Sequence, residues 1–487
     1  MSGIINLENV YYSYSGEKKW ALDNINLTIE RGEILSVMGE NGAGKTTLCK
    51  LFNGIIPCLA AGRFLGNVTV DGENTRESQV ARLALKTGMV LDDPDAQLFT
   101  SCVRDEAAFG PENLLLPPAE IKERVSFALA ATGLCGFEER SPATLSGGEK
   151  QRLAIASALA MGGKILVLDE PLSRLDPQGA AEIISVLRNI REKYQITIIM
   201  ATHDGKSAAA IAGRVCVLKN GRIVTCDKAE NIFSNPGLLE ENGIQAPCGA
   251  DIENVFTLKN AAPGAQAIEI TNFCFSYGKT GAFIENINLT VADNDFLAII
   301  GKNGCGKTTL LKSITGLLRP ASGDIFIRGK NSKELSVSDI SEEVGFVMQN
   351  PDSQLFTDSV YNEVSFALKN AGLSKAEIQK RTEDALVTVG LTEPDAFPHA
   401  LSRADRTKVV IASVLAMGCK ILIFDEVDIG QDRRGCIHIM NIARELHSRG
   451  YTIIFVTHNM SLVCEYARRL IVMNRNGIDQ YEKQING

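Results

Sequence analysis

Gly39-Glu-Asn-Gly-Ala-Gly-Lys45-Thr46 and Gly301-Lys-Asn-Gly-Cys-Gly-Lys307-Thr308 carry one pattern, G-x-x-x-x-G-K-[ST], twice in a single chain. In such a loop successive backbone N–H groups point at phosphate oxygens, the lysine bridges the terminal phosphates, and the next hydroxyl holds Mg²⁺. The helix that follows adds the positive end of its dipole. Each loop comes directly after an apolar run, Ile34-Leu-Ser-Val-Met38 or Phe296-Leu-Ala-Ile-Ile300, that reads as a buried strand. Two loops in strand–loop–helix context predict nucleotide binding. The expected contacts are Gly39, Asn41, Gly42, Gly44, Lys45, Thr46 and Thr47 in the first copy. In the second they are Gly301, Asn303, Gly304, Gly306, Lys307, Thr308 and Thr309.

Working outward, two further landmarks repeat in the same order. Ile165-Leu-Val-Leu-Asp169-Glu170 recurs as Ile421-Leu-Ile-Phe-Asp425-Glu426, and Thr202-His203 recurs as Thr457-His458. The offset stays nearly constant, about 255 to 262 residues, which marks an internal duplication. Two copies of one domain are expected, over residues 1–240 and 266–487, joined by a Pro- and Gly-containing linker at 241–265.

Composition narrows the function. The net charge is −8 with no long basic block, so nucleic acid is not an expected partner. No apolar run approaches the roughly 18 residues of a membrane span, and the first residues do not read as a secretory signal. The twelve cysteines form no C-x-x-C pair and no metal-ligand spacing with the five histidines, which suits a reducing compartment.

The acidic pairs close four-residue apolar runs of the kind found in central parallel strands, and ligands bind at the carboxyl ends of such strands. Asp169 and Asp425 are expected to bind Mg²⁺ through water, and Glu170 and Glu426 to orient and polarise the attacking water. An acidic pair that merely begins a loop is the alternative for either copy alone. His203 and His458, recurring in register after further apolar runs, are expected to sense the γ-phosphate, although a lone strand-end histidine is usually structural.

Between the first phosphate loop and its Asp-Glu pair stands Leu145-Ser146-Gly147-Gly148-Glu149-Lys150-Gln151-Arg152. This string resembles the signature of ATP-binding-cassette ATPases, and the resemblance covers nearly the whole chain apart from the linker. It implies an α/β fold of two tandem P-loop cassettes, each with a RecA-like core, an antiparallel β-subdomain and a helical subdomain. It also implies head-to-tail pairing, with ATP held between one phosphate loop and the other copy's signature (Ser146, Gly147 and Gly148, or Ser402). Tyr14 and Tyr277 match the family's adenine-stacking position, with ordinary strand aromatics as the alternative. Gln349 matches its metal-binding Q-loop glutamine.

A narrower resemblance rests on Asp93-Pro-Asp-Ala-Gln-Leu-Phe99 and Asn350-Pro-Asp-Ser-Gln-Leu-Phe356, with Phe109-Gly-Pro-Glu-Asn113 downstream. These strings are similar to those of the ATPase subunits of energy-coupling factor transporters, which import vitamins and transition-metal ions. The implied partners are a transmembrane coupling subunit and a small substrate-binding membrane subunit, and the implied location is the cytoplasmic face of the cell membrane. Val360, Val364 and Ala367 share one helical face, which suits either docking or the cassette's own core. A conventional ABC transporter ATPase and a soluble ribosome-associated twin-cassette factor are the alternatives. The short, non-basic linker does not match the long charged linker helix of the latter.

The copies differ. Opposite the signature, the second has Leu401-Ser-Arg-Ala-Asp-Arg-Thr-Lys408, where Arg403 and Ala404 replace two glycines, and the first has Asp92 where the second has Gln349. Head-to-tail pairing would gather both departures into one ATP site and leave the other with every element intact. Cys305 lies inside the second loop. Lys307 and the helix N-terminus favour its thiolate, and the other reading is a small residue filling a variable position.

Overall fold

The computed structural model describes residues 3–247, 255–258, 266–277 and 283–483. It divides into two units, Met1–Cys248 and Gly249–Gly487.

In the first unit a central sheet runs in the spatial order Arg222–Lys228, Arg214–Lys219, Ile34–Met38, Thr197–Ala201, Ile165–Asp169, Thr87–Val90. All its pairings are parallel except the Arg214–Lys219/Arg222–Lys228 hairpin. Ile34–Met38, Ile165–Asp169 and Thr197–Ala201 are buried at every position, as continuous apolar runs covered on both faces must be. The register sets Asp169 beside Ala201, so the acids and the Thr202-His203 step leave the sheet at one edge. A separate four-stranded antiparallel sheet carries Ile5–Tyr14 and brings Tyr14 to the phosphate loop. Helices Val103–Asn113, Pro118–Thr132 and Gly147–Ala160 form a further layer that shares an apolar core with the central sheet, through Leu166, Leu168, Ile198 and Met200.

The second unit repeats the plan. Phe296–Ile300 lies between Thr452–Val456 and Arg469–Asn474, and Ile421–Asp425 between Thr452–Val456 and Val344–Val347. Val360 and Val364 are fully buried in the unit's core, whereas Ala367 on the same face is only partly buried and lines a surface groove.

The stretch expected to link the copies, 241–265, is described only in part. Ile244 packs with Met38, Val215 and Leu239 in a small core of the first unit. Phe256–Leu258 adds an antiparallel strand to Gly477–Lys483 of the second. The remaining linker positions lie outside the described residues.

Candidate functional site

Both phosphate loops take the conformation their glycines permit. Gly44 and Gly306 precede the helices Lys45–Phe52 and Lys307–Ile314 at φ 104° and 106°. A side chain on Gly44 would put its Cβ 2.7 Å from the Ala21 carbonyl. The lysines fold back over their own loops: Lys45 Nζ donates to Gly39 O at 2.8 Å, and Lys307 Nζ to Gly301 O at 2.9 Å. Both are nearly fully buried and already aimed where terminal phosphates would lie.

The structure brings the predicted acids and histidines to these lysines. Glu170 and Glu426 adopt left-handed backbone, φ 47° and 49°, and each holds this strained shape by donating its N–H across the sheet, to Ala201 O or Val456 O. The turn swings the carboxylate over the loop. Lys45 Nζ stands 3.6 Å from Glu170, and Lys307 Nζ 3.6 Å from Glu426. His203 Nδ1 lies 2.9 Å from Glu170, whereas in the second unit Nε2 of His458 faces Glu426 at 3.2 Å and Lys307 at 3.3 Å.

Burial pushes both glutamate carboxyls up, and the neighbouring histidine and lysine more than reverse it, leaving them below the ordinary range. Burial also works against a charged His203, but the Glu170 carboxylate outweighs it and raises that imidazole. The aspartates show the opposite balance. Burial raises Asp169, and burial with the adjacent Glu426 raises Asp425 to about 6. Asp425 takes a hydrogen bond from the loop threonine Thr308 at 3.3 Å, and Thr46 is the matching residue beside Asp169. A lone carboxylate held this way beside a hydroxyl suits a hard cation.

Tyr14 and Tyr277 hydrogen-bond through their hydroxyls to Thr47 and Thr309, at 3.1 and 2.7 Å, which fixes both rings at the loop. Ser146 caps Gly147–Ala160 in a reciprocal capping box with Glu149, and Ser402 caps Arg403–Met417. Arg403 reaches its own unit's Gln349, donating from Nη2 to the carbonyl at 3.2 Å. Cys305 is buried, and burial lifts its thiol above the ordinary range despite Lys307, which supports its reading as a loop filler.

A phosphate loop, a strand-end Asp-Glu pair and a strand-end histidine meet in each unit, and sequence comparison decides the family. The ABC transporter family model matches residues 22–173 and 284–428. The chain belongs to the ABC transporter ATP-binding family. An ABC transporter ATP-binding protein of Methanosarcina mazei is 36% identical over 98% of this chain and 88% of its own length. One from Caldanaerobacter subterraneus is 34% identical over 98% and 91%. Among solved structures, cbiO1 from Clostridium perfringens, part of the ABC transporter complex cbiONQ, is 36% identical, with a TM-score of 0.45, and covers 50% of this chain and 94% of its own. This ABC protein is thus an ATPase of tandem P-loop cassettes that works with membrane partners. Among its described residues no helix is long and apolar enough to cross a membrane.

Three features of the ABC cassettes escaped sequence reasoning. Gln97 and Gln354 brace the loop after the edge strand. Gln97 accepts from Leu91 N and donates to Met89 O, and Gln354 does the same with Met348 N and Phe346 O. Glu106 and Glu363, both buried, each accept two backbone N–H groups, Phe99 and Thr100 or Phe356 and Thr357, at 2.8–3.0 Å. The spacing Leu-Phe-Thr-x-x-Val-x-x-Glu repeats in both copies and was the available signal. The third is Asp428, half-buried, with Thr457 Oγ1 donating to it at 2.6 Å. The first copy has Leu172 there, so no repeat announced it.

Proposed function

We propose that the chain is the ATP-hydrolysing energy-coupling subunit of an importer of the energy-coupling factor type, taking up a vitamin or a transition-metal ion. The observation that carries this reading is the twice-built Pro-Asp-x-Gln-Leu-Phe loop. Phe99 and Phe356 are 66% and 63% exposed, and each meets a second half-exposed ring, Phe109 or Phe366, edge to face at 4.7 Å. Exposed aromatics held this rigidly mark a docking point for an apolar partner. In the second unit an apolar groove of about 270 Å³, lined by Leu317, Val337, Met348, Ala367 and Met417, extends the same face. The partners on this reading are a transmembrane coupling subunit seated on these loops and a small substrate-binding membrane subunit that selects the cargo. The chain then sits at the cytoplasmic face of the membrane.

Two cassettes, residues 1–240 and 266–487, pair head to tail within the chain. The weak site joins Lys45, Asp92, Glu170 and His203 with Ser402 and Arg403. The strong site joins Lys307, Gln349, Glu426 and His458 with Ser146, Gly147 and Gly148. A Cβ on Gly148 would meet nothing within 4 Å, so its own unit does not require glycine there. The room suits close approach by a nucleotide from outside the unit.

Thr46 and Asp169 in the first unit, and Thr308, Asp425 and Gln349 in the second, would hold Mg²⁺. Oδ1 of Asp169 is buried with no hydrogen-bond partner among the described residues, which fits such a ligand. Bound there, Mg²⁺ supplies charge neutralisation at the phosphate oxygens. Lys307 cradles the terminal phosphates, Glu426 orients the attacking water and takes up its proton, and His458 holds the γ-phosphate against them.

Two experiments test the reading. Glu426→Gln should nearly abolish ATP hydrolysis while Glu170→Gln leaves much of it, and equal losses reject the asymmetry. Phe99→Ser with Phe356→Ser should release the chain from membranes without lowering its basal ATPase activity. Unchanged membrane association removes the docking claim.

A further inference from the structure

Cys216 and Cys226 face each other across the hairpin formed by Arg214–Lys219 and Arg222–Lys228. Direct cross-strand partners point to the same face, with Cα atoms about 4.5–5.5 Å apart, inside the range a disulfide spans. Both thiols are free. Their surroundings differ sharply. Cys216 is fully buried, and Cys226 is half-buried. Arg214 sits two residues from Cys216 on the same face, and its Nη2 donates to Cys226 Sγ at 3.2 Å while Nη1 is anchored to Glu33 at 3.0 and 3.2 Å. A guanidinium donating to the sulfur favours its thiolate. The neighbouring Cys216 thiol, with help from Arg214 and against burial, lowers Cys226 to about 7. The facing Cys226, together with burial, pushes Cys216 well up. The pair takes no part in binding phosphate. It does sit close to the loop that does: Arg214–Lys219 pairs with Ile34–Met38, and the hairpin's Gly221 N donates to Ala43 O at 3.0 Å.

We propose that Cys216 and Cys226 are a peroxide-reactive dithiol, a redox modification site in which Cys226 attacks and Cys216 resolves. The Cys226 thiolate attacks one oxygen of a hydroperoxide. The O–O bond breaks, the other oxygen leaves as alkoxide or hydroxide and is protonated, and the sulfur becomes a sulfenic acid, oxidised by two electrons. The Cys216 sulfur then attacks that sulfur. The S–S bond forms, the S–O bond breaks, and the hydroxyl departs as water with the proton from Cys216. Two thiols and one hydroperoxide give one disulfide, one alcohol or water, and one water.

The test uses the purified full chain, treated with hydrogen peroxide near neutral pH, quenched with iodoacetamide and digested with trypsin. The expected product is Val215–Lys219 joined to Ile223–Lys228 and two hydrogens lighter than the separate peptides. Cys216→Ser should instead accumulate a sulfenic acid on Cys226 that dimedone traps, and Cys226→Ser should leave Cys216 unoxidised. The proposal is overturned if wild-type protein returns both peptides singly and alkylated under peroxide that oxidises the exposed Cys58 and Cys135. Equal oxidation of Cys216 with and without Cys226 overturns it as well. The readout is a peptide mass, so it is independent of whether the chain serves an importer.

Discussion

Restoring the glycines of the second signature tests whether that segment limits an ATP site. The perturbation is Arg403→Gly with Ala404→Gly. Its stability cost follows from where these residues sit. Both open the helix Arg403–Met417 behind the Ser402 cap, and each glycine in a helix costs up to about 1 kcal/mol relative to alanine. Losing the Arg403–Gln349 hydrogen bond, 3.2 Å long and exposed, costs about 1 kcal/mol more. The second unit should therefore lose about 2–3 kcal/mol against urea. Catalysis should move the other way. A restored donor at a transition-state cage is worth ~10²–10³ in rate, so the weak site should speed up by up to that factor. Steady-state phosphate release in a Glu426→Gln background reads this site alone. An unchanged residual rate, in protein that stays folded and still binds nucleotide, refutes the reasoning.

Other outcomes are expected. Both backbone bonds, from Phe356 and Thr357, end on one oxygen of Glu363, so Glu363→Gln keeps the acceptor but loses the charge, and the second unit should weaken by about 2 kcal/mol. Denaturant titration against Glu106→Gln should show matching losses in the two units. Burial lowers the imidazole of His447, which contacts Asn294 O at 3.0 Å. The unfolded chain therefore takes up that proton first, so stability should fall as pH drops below the ordinary imidazole range near 6.5. His447→Gln should flatten that fall in a pH series of thermal melts. Iodoacetamide at neutral pH should leave Cys305 unmodified in folded protein, and rapid alkylation there would contradict its burial.

Much of this was legible in the chain itself because phosphate binding uses backbone geometry, which glycine spacing announces. Gly44 and Gly306 have the positive φ that the pattern requires, and the Asp-Glu and Thr-His pairs end fully buried strands as their apolar runs indicate. Three things were not legible. The left-handed turn at Glu170 and Glu426 depends on a hydrogen bond to a neighbouring strand that arrives later in the chain. The Val360 face could not be assigned to core or surface until the helices packing it were placed. The dithiol depends on the strand register of a hairpin, and a one-residue slip would have turned one sulfur to the other face.

Asp428 shows where the second copy gives up stability. It is half-buried, and desolvation raises its carboxyl from 3.8 to about 6. The folded state therefore binds that proton more tightly than the unfolded state. Stability linked to this group is highest below the unfolded value and declines as pH rises through about 6. Above that range the ionised group costs on the order of 3 kcal/mol, two units at about 1.4 each. Asn at this position still accepts the Thr457 hydroxyl and carries no charge. Asp428→Asn should thus stabilise the second unit by that order at pH 8, keep about half of that gain at pH 5 and lose it below 3.8. Thr457 immediately precedes His458, and Asp428 lies two residues after Glu426, so the charge bears on the pair proposed to be catalytic. A stabilised variant with slower ATP hydrolysis would mean that the carboxylate is kept for turnover at the expense of the fold. A variant no more stable than the parent at pH 8 would show that the charge is already compensated, and the argument would fail.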